Sequence, residues 1–131
     1  MKYILKTVWI LLAITYTAVA ADQPMLAPTP YAKAKEYIGK GKPVLFEVGA
    51  ESCYSCQIMG KTLYKIKKEN PTLNIYFINI QKEREVATPL KIMVIPTQII
   101  YDQNGKEVYR HIGVLKEDEV SKLLATYGFD T

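Results

Sequence analysis

Val44-Leu45-Phe46-Glu47-Val48-Gly49-Ala50-Glu51-Ser52-Cys53-Tyr54-Ser55-Cys56 is the stretch on which the fold turns. Residues 44–48 are apolar except Glu47, which reads as a buried strand. Residues 49–52 read as a loop. From Cys53 the apolar spacing becomes helical, with Ile58, Met59, Leu63 and Ile66 on one side. Cys53 and Cys56 therefore stand where a strand gives way to a helix. Backbone N–H groups at a helix start lack intrahelical partners and favour an anion there. Thiolate is the reactive form of cysteine, and such a position lowers the thiol pKa. Cys56, a turn further in, is expected to be buried. The pair can then divide the work: Cys53 attacks a partner disulfide, and Cys56 resolves the mixed disulfide. These are the only two cysteines in the chain. A bridge closing so short a loop constrains little of the unfolded chain, so redox chemistry or metal binding explains the pair better than stability does.

Upstream, residues 31–38 read as a short helix, broken by Gly39-Lys40-Gly41-Lys42-Pro43. Residues 21–30 hold Pro24, Pro28 and Pro30 and read as an extended lead-in. Downstream, Asn70-Pro71 stops the helix, and residues 73–80 form a second strand. A short polar helix is expected within residues 81–90. Residues 92–101 are apolar and β-branched, a strand interrupted by Pro96. Asp102-Gln103-Asn104-Gly105 is a hairpin turn, since Asn-Gly accepts the positive φ such turns need. A return strand over 107–112 and a closing helix over 116–127 follow. Strand-helix-strand in the first half implies a parallel pair, and the hairpin adds an antiparallel one. The expected class is α/β: one mixed sheet of about four strands, flanked by helices. The 131 residues suit a single domain over 31–131.

Over residues 31–129 the chain resembles the thioredoxin family. The resemblance rests on the quoted stretch with its Cys-x-x-Cys, on Val94-Ile95-Pro96-Thr97, and on Gly113 after the hairpin. It implies a thioredoxin fold and thiol-disulfide oxidoreductase activity on protein partners without a bound cofactor. It also implies a cis bond before Pro96, beside the active pair, with Pro96, Ile95 and Tyr54 meeting the substrate. From the residues alone, Pro96 reads as an edge-strand proline, and the matching context favours the cis bond. Thioredoxins have tryptophan where Ser52 stands, Gly-Pro where Tyr54-Ser55 stands, a lysine at Phe77 and a helix-kinking proline where Gly60-Lys61 stands. These departures point to a dedicated exported relative rather than a general cytosolic thioredoxin.

Strand alternation puts Phe46 and Val48 on one face and Glu47 on the other. Both faces should be covered, and burial without a cation raises an acid's pKa toward neutrality. Glu47 is then a candidate to take the proton from Cys56, and the family carries an acid at the matching position. The alternative has Glu47 reaching the strand's end to pair with a lysine. His111, the only histidine, reads as a surface strand residue, and Met59 and Met93 as core.

Residues 1–20 carry Lys2 and Lys6, an apolar run and a small-residue exit at Ala18-Val19-Ala20. This pattern is a secretory signal peptide. A retained anchor is the alternative, although Thr15, Tyr16 and Thr17 weaken a span that needs ~20 apolar residues. Periplasmic or other exported placement follows, where disulfides persist. The net charge is +4, and losing Lys2 and Lys6 leaves 15 basic residues against 13 acidic ones, or +2. Runs such as Lys82-Glu83-Arg84-Glu85 interleave the signs, which argues against nucleic-acid binding. Lys65, Lys67 and Lys68 read as the wet face of a helix.

The expected protein is a monomer that exchanges thiols and disulfides with protein clients and is reset by a membrane or exported redox donor. A reductant is expected, because Ile95 precedes the proline as in reducing members of the family and neither Tyr54 nor Ser55 adds positive charge. An exported oxidase is one alternative. The other is a copper-binding module using Cys53, Cys56 and His111 or Met59, since thiolates suit Cu(I). No second Cys/His pair supports a tetrahedral zinc site.

Overall fold

Four strands and three helices in the computed structural model, which describes residues 24–130, follow the expected order. Helix α1 (Tyr31–Ala34) runs into a 3-10 turn (Lys35–Tyr37). Strand β1 (Val44–Gly49) leads to helix α2 (Tyr54–Glu69) and strand β2 (Ile75–Asn79). A 3-10 turn (Arg84–Ala87) precedes β3 (Thr97–Tyr101) and β4 (Glu107–Ile112), and helix α3 (Glu117–Thr126) closes the fold. The sheet order is β2-β1-β3-β4, with β1 parallel to β2 and the other pairs antiparallel. The α/β class and the mixed four-stranded sheet match the sequence reading.

β1 is central because all six of its residues are buried, so only a strand covered on both faces can carry it. Leu45 packs beneath α2 and α3 with Met59, Leu63 and Leu124. Phe46 and Val48 face the other layer with Ala34, Val86 and Leu90. α2 ends as expected at Asn70, whose N–H still reaches Ile66 O. The turn at 102–105 forms around Asp102, whose Oδ1 accepts N–H bonds from Asn104 and Lys106, each 2.9 Å. At the start of α3 the Glu119 carboxylate accepts the Lys116 N–H at 2.7 Å, satisfying an otherwise orphaned donor.

The lead-in has a definite job. Leu26 N–H donates to Gly60 O, Thr29 N–H donates to Phe77 O, and Pro28 bridges Phe77. It therefore covers the outer edge of β2, which would otherwise offer unpaired backbone groups.

Four expectations need correction. Residues 92–96 are not strand: β3 starts at Thr97, after a proline that has no N–H for a ladder. Met93 is not core but 89% exposed, because it sits in that loop while Met59 is fully buried. Ile58 is exposed, so the buried face of α2 is carried by Cys56, Met59, Leu63 and Ile66. Lys67 is half-buried rather than wet, its Nζ donating to Ile75 O at 2.8 Å and lying over the Tyr76 ring. The segment 1–20 lies outside the described residues, and among these no helix is long and apolar enough to cross a membrane.

Candidate active site

The two cysteines meet at the C-terminal end of β1. Cys53 is the N-cap residue of α2, in extended conformation, and its Sγ accepts the Cys56 N–H at 3.3 Å. An N-cap acceptor is ordinarily an oxygen. Here the sulfur fills the role, so the backbone that would stabilise a Cys53 thiolate is already aimed at it. Cys53 and Cys56 form a disulfide with Cα atoms 5.1 Å apart. Cys56 is fully buried and Cys53 is partly exposed, which is the asymmetry the helix register requires.

Gly49 lets the helix come this close. A Cβ there would lie 2.8 Å from Cys56 Sγ and 3.1 Å from its Cβ. Ser52 and Glu51 brace the loop: Ser52 Oγ donates to Gln81 Oε1 at 3.0 Å, and Gln57 Nε2 donates to Glu51 O at 2.8 Å.

The Ile95–Pro96 peptide is cis. Pro96 is buried at the start of β3, and the next residue, Thr97, pairs with Val48 near the end of β1. Gly113 N–H donates to Pro96 O at 2.8 Å, and Thr97 Oγ1 donates to Val94 O at 2.6 Å. Gly113 holds φ at +104°, a conformation L side chains resist. Three segments thus converge at one end of the sheet: 50–56, 93–96 and 112–114. Their outward faces carry Tyr54 (77% exposed), Met93, Val94, Ile112 and Val114. Sequence reasoning found Tyr54 but missed the other four; Met93 and Val94 lay in an apolar run that reads as strand.

Glu47 lies on the same face of β1 as Gly49, one pleat further from the cysteines. It is fully buried, opposite Phe77 on β2 and Gln98 on β3. The alternative lysine pairing is not what the fold makes: Gln98 Nε2 donates to Glu47 Oε2 at 3.0 Å, and Oε1 has no hydrogen-bond partner among the described residues. Burial pushes the Glu47 carboxyl up to about 8, and the Gln98 hydrogen bond offsets part of that rise. His111 is half-buried rather than a plain surface residue, with Nδ1 2.8 Å from Gln98 Oε1.

The ligands considered for copper are not gathered. Among the described residues no three His, Cys, Asp or Glu side chains cluster as a metal site. Met59 is sealed in the core with its sulfur accepting the Leu115 N–H.

A family model for the thioredoxin-like domain matches residues 30–128. The chain belongs to the thioredoxin-like family. It is 30% identical over 84 residues to the thioredoxin of Chlamydia trachomatis, covering 64% of this chain and 81% of that one. It is 26% identical over 90 residues to the thioredoxin of Mycoplasma pneumoniae, covering 69% and 87%. Among solved structures, Fasciola hepatica thioredoxin superposes with a TM-score of 0.67 at 21% identity, over 79% of this chain and all of that one. With its Cys53–Cys56 pair, this thioredoxin-like chain is a thiol-disulfide oxidoreductase.

Proposed function

We propose that the protein is an exported reductant of protein disulfides. Cys53 is the attacking thiolate, Cys56 the resolving thiol and Glu47 its proton acceptor. The observation that carries this reading is the placement of Cys53 Sγ on the backbone N–H of Cys56 with Cys56 itself sealed beneath. The Cys53 thiolate attacks one sulfur of a client disulfide. That bond breaks, a Cys53–client disulfide forms, and the released client sulfur leaves as a thiolate. Cys56 then passes its proton to Glu47 and attacks Cys53, freeing the second client thiolate. Two electrons have moved to the client, and the Cys53–Cys56 disulfide awaits an exported or membrane-bound dithiol donor. A carboxyl titrating near 8 suits this step, because both of its forms are accessible near neutral pH.

The apolar ring of Tyr54, Met93, Val94, Ile112 and Val114 supports clients that present apolar residues beside their disulfide. Ile95 and Pro96 sit between that ring and β3, where an extended client segment would lie along the loop. Support for export comes from the sequence pattern of residues 1–20.

Equilibration with glutathione tests the direction. A reduction potential between about −270 and about −180 mV is expected, bracketed by thioredoxin and protein disulfide isomerase. A value near about −120 mV, typical of a dedicated oxidase, would make the protein a disulfide donor instead. Trapping with Cys56→Ser should hold clients as mixed disulfides through Cys53.

A further inference from the structure

Glu47, Gln98 and His111 stand in one row across β1, β3 and β4, since Glu47 pairs with Gln98 and Gln98 with His111 in the sheet register. The hydrogen bonds along that row have a fixed direction. Gln98 Nε2 donates to Glu47 Oε2 and to Gly113 O, both at 3.0 Å. A backbone carbonyl only accepts, so the amide nitrogen must face Gly113 and the amide oxygen must face outward along the sheet. His111 Nδ1 is 2.8 Å from that oxygen. An amide oxygen cannot donate, so Nδ1 carries the proton. Along the row, therefore, the donors face inward from the half-buried edge strand toward a fully buried carboxyl.

We propose that Gln98 and His111 are positioning residues that stabilise the ionised form of Glu47, so that the strength of the acceptor for the Cys56 proton is set from the outer strand of the sheet. The proposal rests on the reading of Glu47 as that acceptor. Donation to a carboxylate favours the charged form, and a row of bonds polarises each member in the same sense. Without Gln98, Glu47 Oε2 would join Oε1 in having no partner.

The surroundings leave this row as the main polar influence on the carboxyl. β2 presents Phe77 to Glu47, and α2 brings Cys56 and Met59 to that face. Burial and Gln98 are the two influences that shift Glu47. Beside His111 lies the near-parallel ring of Tyr109, centroids 6.5 Å apart, and Tyr109 in turn feels Tyr127 and Glu119. Arg110, between them in sequence, turns to the other layer and donates to Leu90 O.

The test follows the Glu47 carboxyl carbon by NMR titration of the oxidised protein, alongside the pH profile of the resolving step in the reduced one. Gln98→Leu should raise the Glu47 midpoint by at least about one unit, the scale of one hydrogen bond to a charged group. His111→Phe keeps a ring against Tyr109 but deletes the donor, and should raise the midpoint by a smaller amount. His111→Asn places Nδ2 where Nδ1 stood and should restore it. The pH profile of the resolving step should move alkaline by the same shifts. Unmoved midpoints in Gln98→Leu and His111→Phe would overturn the proposal. If Gln98→Leu does not fold, an unmoved His111→Phe does so alone, and a raised one rescued by His111→Asn upholds it. Glu47→Gln separates the two readings. If it leaves resolution unchanged at every pH while the other variants still shift the midpoint, the relay role falls and the coupling stands.

Discussion

The buried acid should leave a mark on stability that can be read without any client. Glu47 titrates near 4.5 when unfolded and near 8 when folded. Between those values the folded state binds a proton that the unfolded state has lost. Stability is therefore fully present below pH 4.5 and is lost as pH rises toward 8. At about 1.4 kcal/mol per pH unit, the loss is about 3 kcal/mol at pH 7 and on the order of 5 kcal/mol above pH 8. Glu47→Gln keeps the shape and cannot ionise, so it should not show this decline. Urea unfolding of the oxidised proteins from pH 4 to 9 gives the comparison, and oxidation removes the thiols from the titration. The difference between variant and parent should be constant near pH 4 and widen in favour of the variant toward pH 8. Parallel stability curves would mean that Glu47 stays ionised in the fold, and the acid could not serve as described. The same variant should slow the resolving step, so that a gain in stability accompanies a loss of turnover.

In the reduced protein, alkylation at neutral pH should label Cys53 well before Cys56, because Cys56 is fully buried; equal rates would refute the division of roles. Replacing Met93 and Val94 together by serine should raise KM for a protein disulfide by roughly tenfold, from lost apolar burial, while reduction of a small disulfide changes little. Equal losses on both substrates would remove that loop from client docking. N-terminal sequencing of protein recovered from the cell envelope should begin at Ala21, and a retained Met1 would mean an anchor.

Much of this molecule could be read along the chain. The helix over α2, the hairpin turn and the strands β1 and β4 come from spacing, glycine and proline, which act within a few residues. The cysteine pair was legible for the same reason, since a separation of three spans one helical turn beginning at a strand's end. The tight approach at Gly49 and the tie from Gly113 to Pro96 follow from how loops close over that end, and only the assembled sheet displays them.

Other features depended on what lies opposite in space. Residues 92–96 have the composition of a strand, yet they form a loop in which Met93 and Val94 are exposed, because Pro96 has no N–H to give to a ladder. The state of Glu47 could not be decided by its neighbours in sequence, since a lysine or an amide facing it would give opposite outcomes. Gln98, 51 residues away, faces it, and His111 lies 13 residues beyond Gln98. Local composition placed an acid in an apolar strand six residues before the first cysteine. The register of three strands, fixed by packing over the whole sheet, decided which groups would hold it.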